Sequence, residues 1–200
     1  MLAGNRIFFL GSSVTYGSAA GGVSFVDMLA EKDGIIAVKE AVPGTTLVDN
    51  GERSYVARLK KHAEDAAPDA FVCQLSTNDA TLGLPVGTIS DTFDIDSFDT
   101  STVAGAIEYI ITYVRNKWSC PVVFYTGTRY DSINYEELVA LLLKIREKHN
   151  IRVIDMWDSD MNDIPNELYK RYMADGIHPT KEGYAQWWLP VFEKELNAIL

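Results

Sequence analysis

The chain is short of cysteine, of basic charge and of long apolar runs, and each shortage removes a class of protein. Only Cys73 and Cys120 occur in 200 residues. Both lie beside or inside strand-like apolar runs, which suits buried thiols in a reducing compartment and excludes a disulfide-built scaffold. A cytoplasmic location is expected on that ground, and neither cysteine has metal-ligand spacing. Lys and Arg together number 18 against 28 Asp and Glu, a formal charge of −10. No basic run occurs, so neither a nucleic-acid backbone nor an anionic membrane is an expected partner, because both need clustered cations. No apolar stretch approaches the length that crosses a bilayer. The opening Met1-Leu2-Ala3-Gly4-Asn5-Arg6 lacks a charged stretch leading into a long apolar one, so no secretory signal is expected.

What remains is a core-forming chain. Hydrophobic residues make up 47%, and the length suits one domain over 1–200. Apolar runs that read as buried strands recur at 6–10, 35–41, 70–75, 122–126 and 152–155. Between them, apolar residues spaced three or four apart predict helices over 24–32, 52–66, 102–118, 135–149 and 181–200. Val103, Ile107, Ile110, Ile111 and Val114 make the clearest such face. Strand and helix in strict alternation imply a parallel sheet with helices on both sides, a three-layer α/β architecture of about five strands. Such sheets bind ligands beyond the carboxyl ends of their strands.

The segments after those strands are polar or glycine-bearing: Gly11-Ser12-Ser13-Val14-Thr15-Tyr16-Gly17, Pro43-Gly44-Thr45-Thr46, Ser76-Thr77-Asn78-Asp79 and Gly127-Thr128-Arg129-Tyr130. A further stretch over 80–100 carries Asp91, Asp94, Asp96 and Asp99 without a sustained period. It reads as a long, solvated loop insertion that could wall the crevice; its aspartates lack the spacing of a calcium loop.

A serine at the mouth of the first strand can serve as a nucleophile if a base takes its proton and a third group orients that base. His62 follows Lys60-Lys61, and His149 follows Lys148 near a helix end, so both read as surface residues. His178 stands apart, in Ala174-Asp175-Gly176-Ile177-His178-Pro179. In a tight turn, Asp175 at three residues' distance can fold back onto the imidazole, although the same residues also make an ordinary turn into a helix. Acyl transfer further needs donors for an oxyanion. The candidates are the N–H groups of Ser13 and Gly44 and the amide of Asn78, each in a segment that could equally be a plain turn or helix cap.

Taken together, Ser13, Gly44, Asn78 and His178 resemble, in order and context, the four blocks of the SGNH (GDSL-type) hydrolases, over nearly the whole chain. The resemblance implies a flavodoxin-like α/β/α fold with Ser13 as nucleophile, His178 as base, Asp175 as orienter, and an oxyanion hole from Ser13, Gly44 and Asn78. It implies no metal and no organic cofactor. Two positions depart from the family pattern. Ser12 stands where aspartate is usual, and Ser76 where glycine is usual; neither change removes a proton-transfer or oxyanion group.

The expected activity is cleavage of small carboxylic esters with short or acetyl acyl groups, some carried on carbohydrates. Lysophospholipase or thioesterase-type acyl hydrolysis is the nearest alternative. A nucleotide- or sugar-binding module without turnover is another, but Gly11–Gly17 has neither phosphate-loop fingerprint. Tyr16, Tyr130, Trp187 and Trp188 could stack on a sugar ring, whereas the two tryptophans could instead pack the last helix against the sheet. Tyr125 and Arg129 either line the site or close the fourth strand.

Overall fold

The computed structural model describes residues 1–62, 67–158 and 160–200. Five strands, β1 (Arg6–Gly11), β2 (Ile36–Ala41), β3 (Ala70–Gln74), β4 (Val122–Tyr125) and β5 (Arg152–Ile154), form one parallel sheet in the order β2-β1-β3-β4-β5. Each coincides with an expected apolar run. The runs are continuous because the middle strands are covered on both faces. Phe8, Leu10, Phe71 and Phe124 point to one side, against α3 (Tyr55–His62), α5 (Val103–Trp118) and α6 (Ile133–His149). Ile7, Phe9, Val72 and Tyr125 point to the other, against α2 (Phe25–Asp33) and the C-terminal helix. Phe8 and Phe9 are fully buried, a gain of about 1.5–3 kcal/mol each. Cys73 and Cys120 are buried free thiols.

The strand order places a topological switch between β1 and β3, and there the chain adds two short helices that the sequence had suggested as loops. These are α1 (Ser13–Tyr16) and α4 (Thr77–Thr81). A third unforeseen helix, α7 (Asn166–Tyr172), lies on Trp187 through Tyr169 and Tyr172. The helix expected over 52–66 is described at Tyr55–His62, and 63–66 fall outside the described residues. The last helix is interrupted. After α8 (Lys181–Gly183) comes a π turn at Tyr184–Trp188, then α9 (Leu189–Asn197). Pro190 supplies the cause: it lacks an N–H, and its ring would press on the carbonyl one turn earlier, which the wider turn relieves.

Two expectations need correction. The 81–100 segment meets the crevice only at its start, where Leu82 borders the hollow beside Gly44; its middle packs on the flank of α5 and α6. Ser90 N donates to Glu108 Oε2 at 2.8 Å, and Lys148 Nζ donates to the carbonyls of Ser90 and Thr92. Its aspartates cap local turns, Asp94 toward Asp96 N and Asp99 toward Ser101 N. His149 is likewise no surface residue. It is 3% exposed, with Nε2 2.9 Å from Glu108 Oε1 and the rings of Phe93 and Phe98 beside it. The long loop covers the final turn of α6, which no local pattern announces. His62 is exposed as expected and contacts Glu40 at 3.0 Å.

Candidate active site

The nucleophile segment is shaped before its serine is reached. A Cβ on Gly11 would lie 1.7 Å from Thr15 Oγ1, so only glycine lets β1 turn into α1 while Thr15 folds back beneath it. Thr15 Oγ1 then meets Tyr125 OH at 2.6 Å and Gln74 Oε1 at 2.8 Å. The same Gln74 oxygen accepts from Ser12 N at 3.0 Å and Thr15 N at 3.2 Å. One buried amide at the end of β3 thus bolts the whole turn down. At the far end, Gly17 closes α1 at φ +88°, where a Cβ would strike the Val23 carbonyl at 2.6 Å. The two serines part company here. Ser12 is fully buried, its hydroxyl beside Tyr55 without a well-formed hydrogen bond, and Ser13 faces the crevice.

His178 arrives from the loop between α7 and α8. That loop is pinched by the bridge of Met173 with Pro179 and by Ala174 N donating to His178 O at 2.9 Å. Asp175 Oδ1 accepts from Ile177 N at 2.7 Å and His178 N at 2.8 Å, while Oδ2 lies 2.8 Å from His178 Nδ1. Across the crevice His178 Nε2 is 2.8 Å from Ser13 Oγ. Asp175, His178 and Ser13 therefore form one continuous hydrogen-bonded chain. Desolvation alone would raise the Asp175 carboxyl, but the two backbone N–H groups and the His178 ring outweigh it and hold the group below the usual carboxylate range.

Gly44 and Asn78 are joined through the residue between them. Gly44 is exposed at φ +78°, a conformation that favours glycine. Thr45 O accepts from Asn78 Nδ2 at 2.8 Å, which fixes that amide and leaves its second N–H for another acceptor. Ser76 explains its own departure from glycine: its hydroxyl caps α4 at Asn78 N and reaches Thr45 O. Two residues missed in the sequence complete the frame. Asp79, 1% exposed, accepts from Leu47 N at 2.8 Å and Val48 N at 3.0 Å, so the loop after β2 and the start of α4 are one unit. Burial raises its carboxyl despite those bonds. Arg58, 5% exposed, donates from Nη2 to Gly11 O at 2.8 Å and Thr45 Oγ1 at 3.0 Å, stapling the serine turn to the glycine loop. The one visible hint of Arg58 was a charge on the otherwise apolar face Tyr55, Val56, Leu59.

Of the aromatic candidates, Trp187 and Trp188 are buried in the core, and Tyr125 is buried with its hydroxyl on Thr15. Tyr16 is 42% exposed, and Arg129 lies over the Trp157 ring. Among the described residues, no three His, Cys, Asp or Glu side chains are grouped to hold a metal, and no helix is long and apolar enough to cross a membrane.

The structure is a three-layer α/β protein with a serine, an imidazole and a carboxylate hydrogen-bonded in line at the carboxyl edge of its parallel sheet. The chain belongs to the GDSL-like lipase/acylhydrolase family, whose sequence profile matches residues 9–186. Membership makes it a hydrolase of ester type with small-molecule ester substrates. Solved structures share the fold at low identity. A Lactobacillus plantarum protein is 18% identical with a TM-score of 0.81, each chain covered in full. A member of the lipolytic G-D-S-L family from Veillonella parvula is 18% identical at 0.69, covering 96% of this chain and 97% of its own. A GDSL-like lipase from Bacteroides thetaiotaomicron is 17% identical at 0.65, covering 98% and 89%. No curated protein matches the sequence significantly.

Proposed function

We propose that the protein is a cytoplasmic serine esterase that cleaves short-chain carboxylic esters, acetyl groups on carbohydrates among them, through an acyl-enzyme on Ser13. One observation supports this above the rest: His178 bridges Ser13 Oγ and Asp175 with 2.8 Å contacts on its two ring nitrogens. Asp175 accepts a hydrogen bond from Nδ1–H, so the Nε2 lone pair faces the serine hydroxyl, the tautomer that proton abstraction requires.

In this reading Ser13 Oγ bonds to the ester carbon as its proton passes to His178 Nε2. The carbonyl electron pair moves onto oxygen, where the N–H groups of Ser13 and Gly44 and the free Asn78 N–H receive it; each such donor is worth roughly 10²–10³-fold in rate. Collapse breaks the bond to the alcohol oxygen, and His178 returns its proton to that leaving group. Water then attacks the acyl-serine as the same imidazole takes its proton, and His178 returns that proton to Ser13 Oγ as the acyl bond breaks, releasing the acid. Asp175 stays ionised throughout, in keeping with its lowered carboxyl.

Acyl length follows from the space beyond the glycine loop. Gly44, Thr45, Thr46, Asn50, Arg53 and Leu82 border a hollow of about 120 Å³. So small a hollow suits a short acyl chain. A panel of nitrophenyl esters from acetyl to octanoyl, run beside acetylated sugars, should show kcat/KM falling beyond the short chains. A rate that climbs to octanoyl would contradict the short-chain assignment.

A further inference from the structure

The hollow beside Gly44 has an uneven supply of polar groups. Thr45 Oγ1 is engaged with Val42 O, Thr46 Oγ1 with Val48 O and Asn50 Oδ1, and Ser54 Oγ with Asp49 Oδ1. The acceptors and hydroxyls are spent inside the protein. Two donors are not. Among the described residues, the Arg53 guanidinium makes no hydrogen bond or ion pair, Arg53 taking part only through its carbonyl, which accepts from Arg58 Nε. Among the described residues the Asn50 side chain is engaged only through its Oδ1, so its amide N–H groups are also open, and both Asn50 and Arg53 are exposed at the rim. The remaining wall is Leu82, 62% exposed.

Arg53 also borders the adjoining groove of about 610 Å³, together with Arg58, Lys61 and His62. There Glu40 is committed to Arg58 and His62, each at 3.0 Å, and Lys61 has no ion-pair partner among the described residues. Glu52 also borders the groove, so Arg53, Arg58 and Lys61 stand against Glu40 and Glu52, a surplus of one cation in a chain of net charge −10. The geometry of the reaction says which half of a substrate meets them. His178 must protonate the leaving oxygen, so the alcohol departs on the His178 side, and the hollow that shares Gly44 with the oxyanion hole is assigned to the acyl group.

We propose that the acyl group ends in a carboxylate: the enzyme cleaves half-esters of short dicarboxylic acids, and Arg53, with the Asn50 amide, receives the free carboxylate. The planar guanidinium offers paired N–H donors to a carboxylate, the strong form of this contact. A few methylenes lie along Leu82 between the two ends. The proposal rests on the hydrolase reading of Ser13 and names the substrate class for that site.

The test compares monoethyl succinate, ethyl butyrate and the neutral ethyl methyl succinate by proton release. Monoethyl succinate should exceed both in kcat/KM by roughly ten- to a hundredfold, the worth of a hydrogen bond to a charged group. The ratio to ethyl butyrate should collapse toward one in Arg53→Gln, be partly kept in Arg53→Lys, and be untouched in Lys144→Gln, an exposed charge on α6. A wild-type ratio of one or less, or a preference that Arg53→Gln leaves intact, overturns the proposal. If Arg53→Gln does not fold, salt decides with the wild type alone: rising ionic strength must depress the rate with monoethyl succinate and spare the neutral esters. An equal response overturns it. If no ester is cleaved, the hydrolase reading fails by itself, and calorimetry on Ser13→Ala judges the anion site separately. Monoethyl succinate binding that Arg53→Gln removes upholds the site, and absence of binding overturns it.

Discussion

Asp175–His178 and Glu108–His149 are both carboxylate–imidazole pairs, with closest contacts of 2.8 and 2.9 Å, and they sit in opposite surroundings. The side chains of the first are 56% and 25% exposed; those of the second are 0% and 1%. His178 turns its other nitrogen to a hydroxyl in the crevice. Glu108 is instead saturated by His149, by Lys148 Nζ at 2.6 Å and by Ser90 N. The first pair has somewhere to send a proton, and the second ties a loop to two helices. A short carboxylate–histidine contact is thus no mark of catalysis; what the far side of the ring faces decides its use.

That contrast can be broken from either side. The largest effect belongs to His178→Ala, which should lower kcat by about 10⁶-fold, as loss of a triad base does in other serine hydrolases, with the melting temperature hardly moved. Glu108→Ala should do the reverse. Leaving Lys148 without its counter-ion in a buried setting costs about 3 kcal/mol, a fall in melting temperature of roughly 6–12 °C by calorimetry, with ester hydrolysis retained at low temperature. Asp175→Asn should cost less than His178→Ala, about 10²-fold in kcat, because the exposed carboxylate is already shared with solvent.

The smallest effect is a pH dependence of stability. Burial, and the charges of Lys148 and Arg115, push the His149 imidazole below its ordinary value against the pull of Glu108, so the folded protein resists protonating it. The unfolded chain binds that proton more readily. His149 therefore contributes in full above about pH 6.5, and its contribution fades as the pH falls below that value. Denaturant midpoints measured between pH 7 and 5 should slope downward toward acid in the wild type and less steeply in His149→Gln. Identical slopes would remove His149 from the explanation.

The same contrast shows what the sequence could disclose. Ser13, Asp175 and His178 lie in short turns whose residue types and spacing carry the geometry, and the structure brings the three into contact. The middle strands β1, β3 and β4 were legible because double burial writes each as an apolar run, and the half-buried edge strands β2 and β5 through shorter apolar stretches. His149 was not, because its burial depends on a loop some fifty residues away in sequence. Gln74 and Arg58 escaped for a related reason: an amide ending an apolar strand and a guanidinium on an apolar helix face gain meaning only once β1, β3 and the loop after β2 are side by side. Helix α7 holds good helix formers in Glu167, Leu168, Lys170 and Arg171, but at seven residues after a stretch rich in Asp, Asn and Pro it is too short to show a period.

The most direct measurement is covalent labelling with a fluorophosphonate, read by peptide mass spectrometry. The expected result is a single adduct on Ser13, none on Ser12, and loss of both labelling and ester hydrolysis in Ser13→Ala. An unlabelled wild-type protein, or an adduct that persists in Ser13→Ala, would contradict the assignment of Ser13 as the nucleophile.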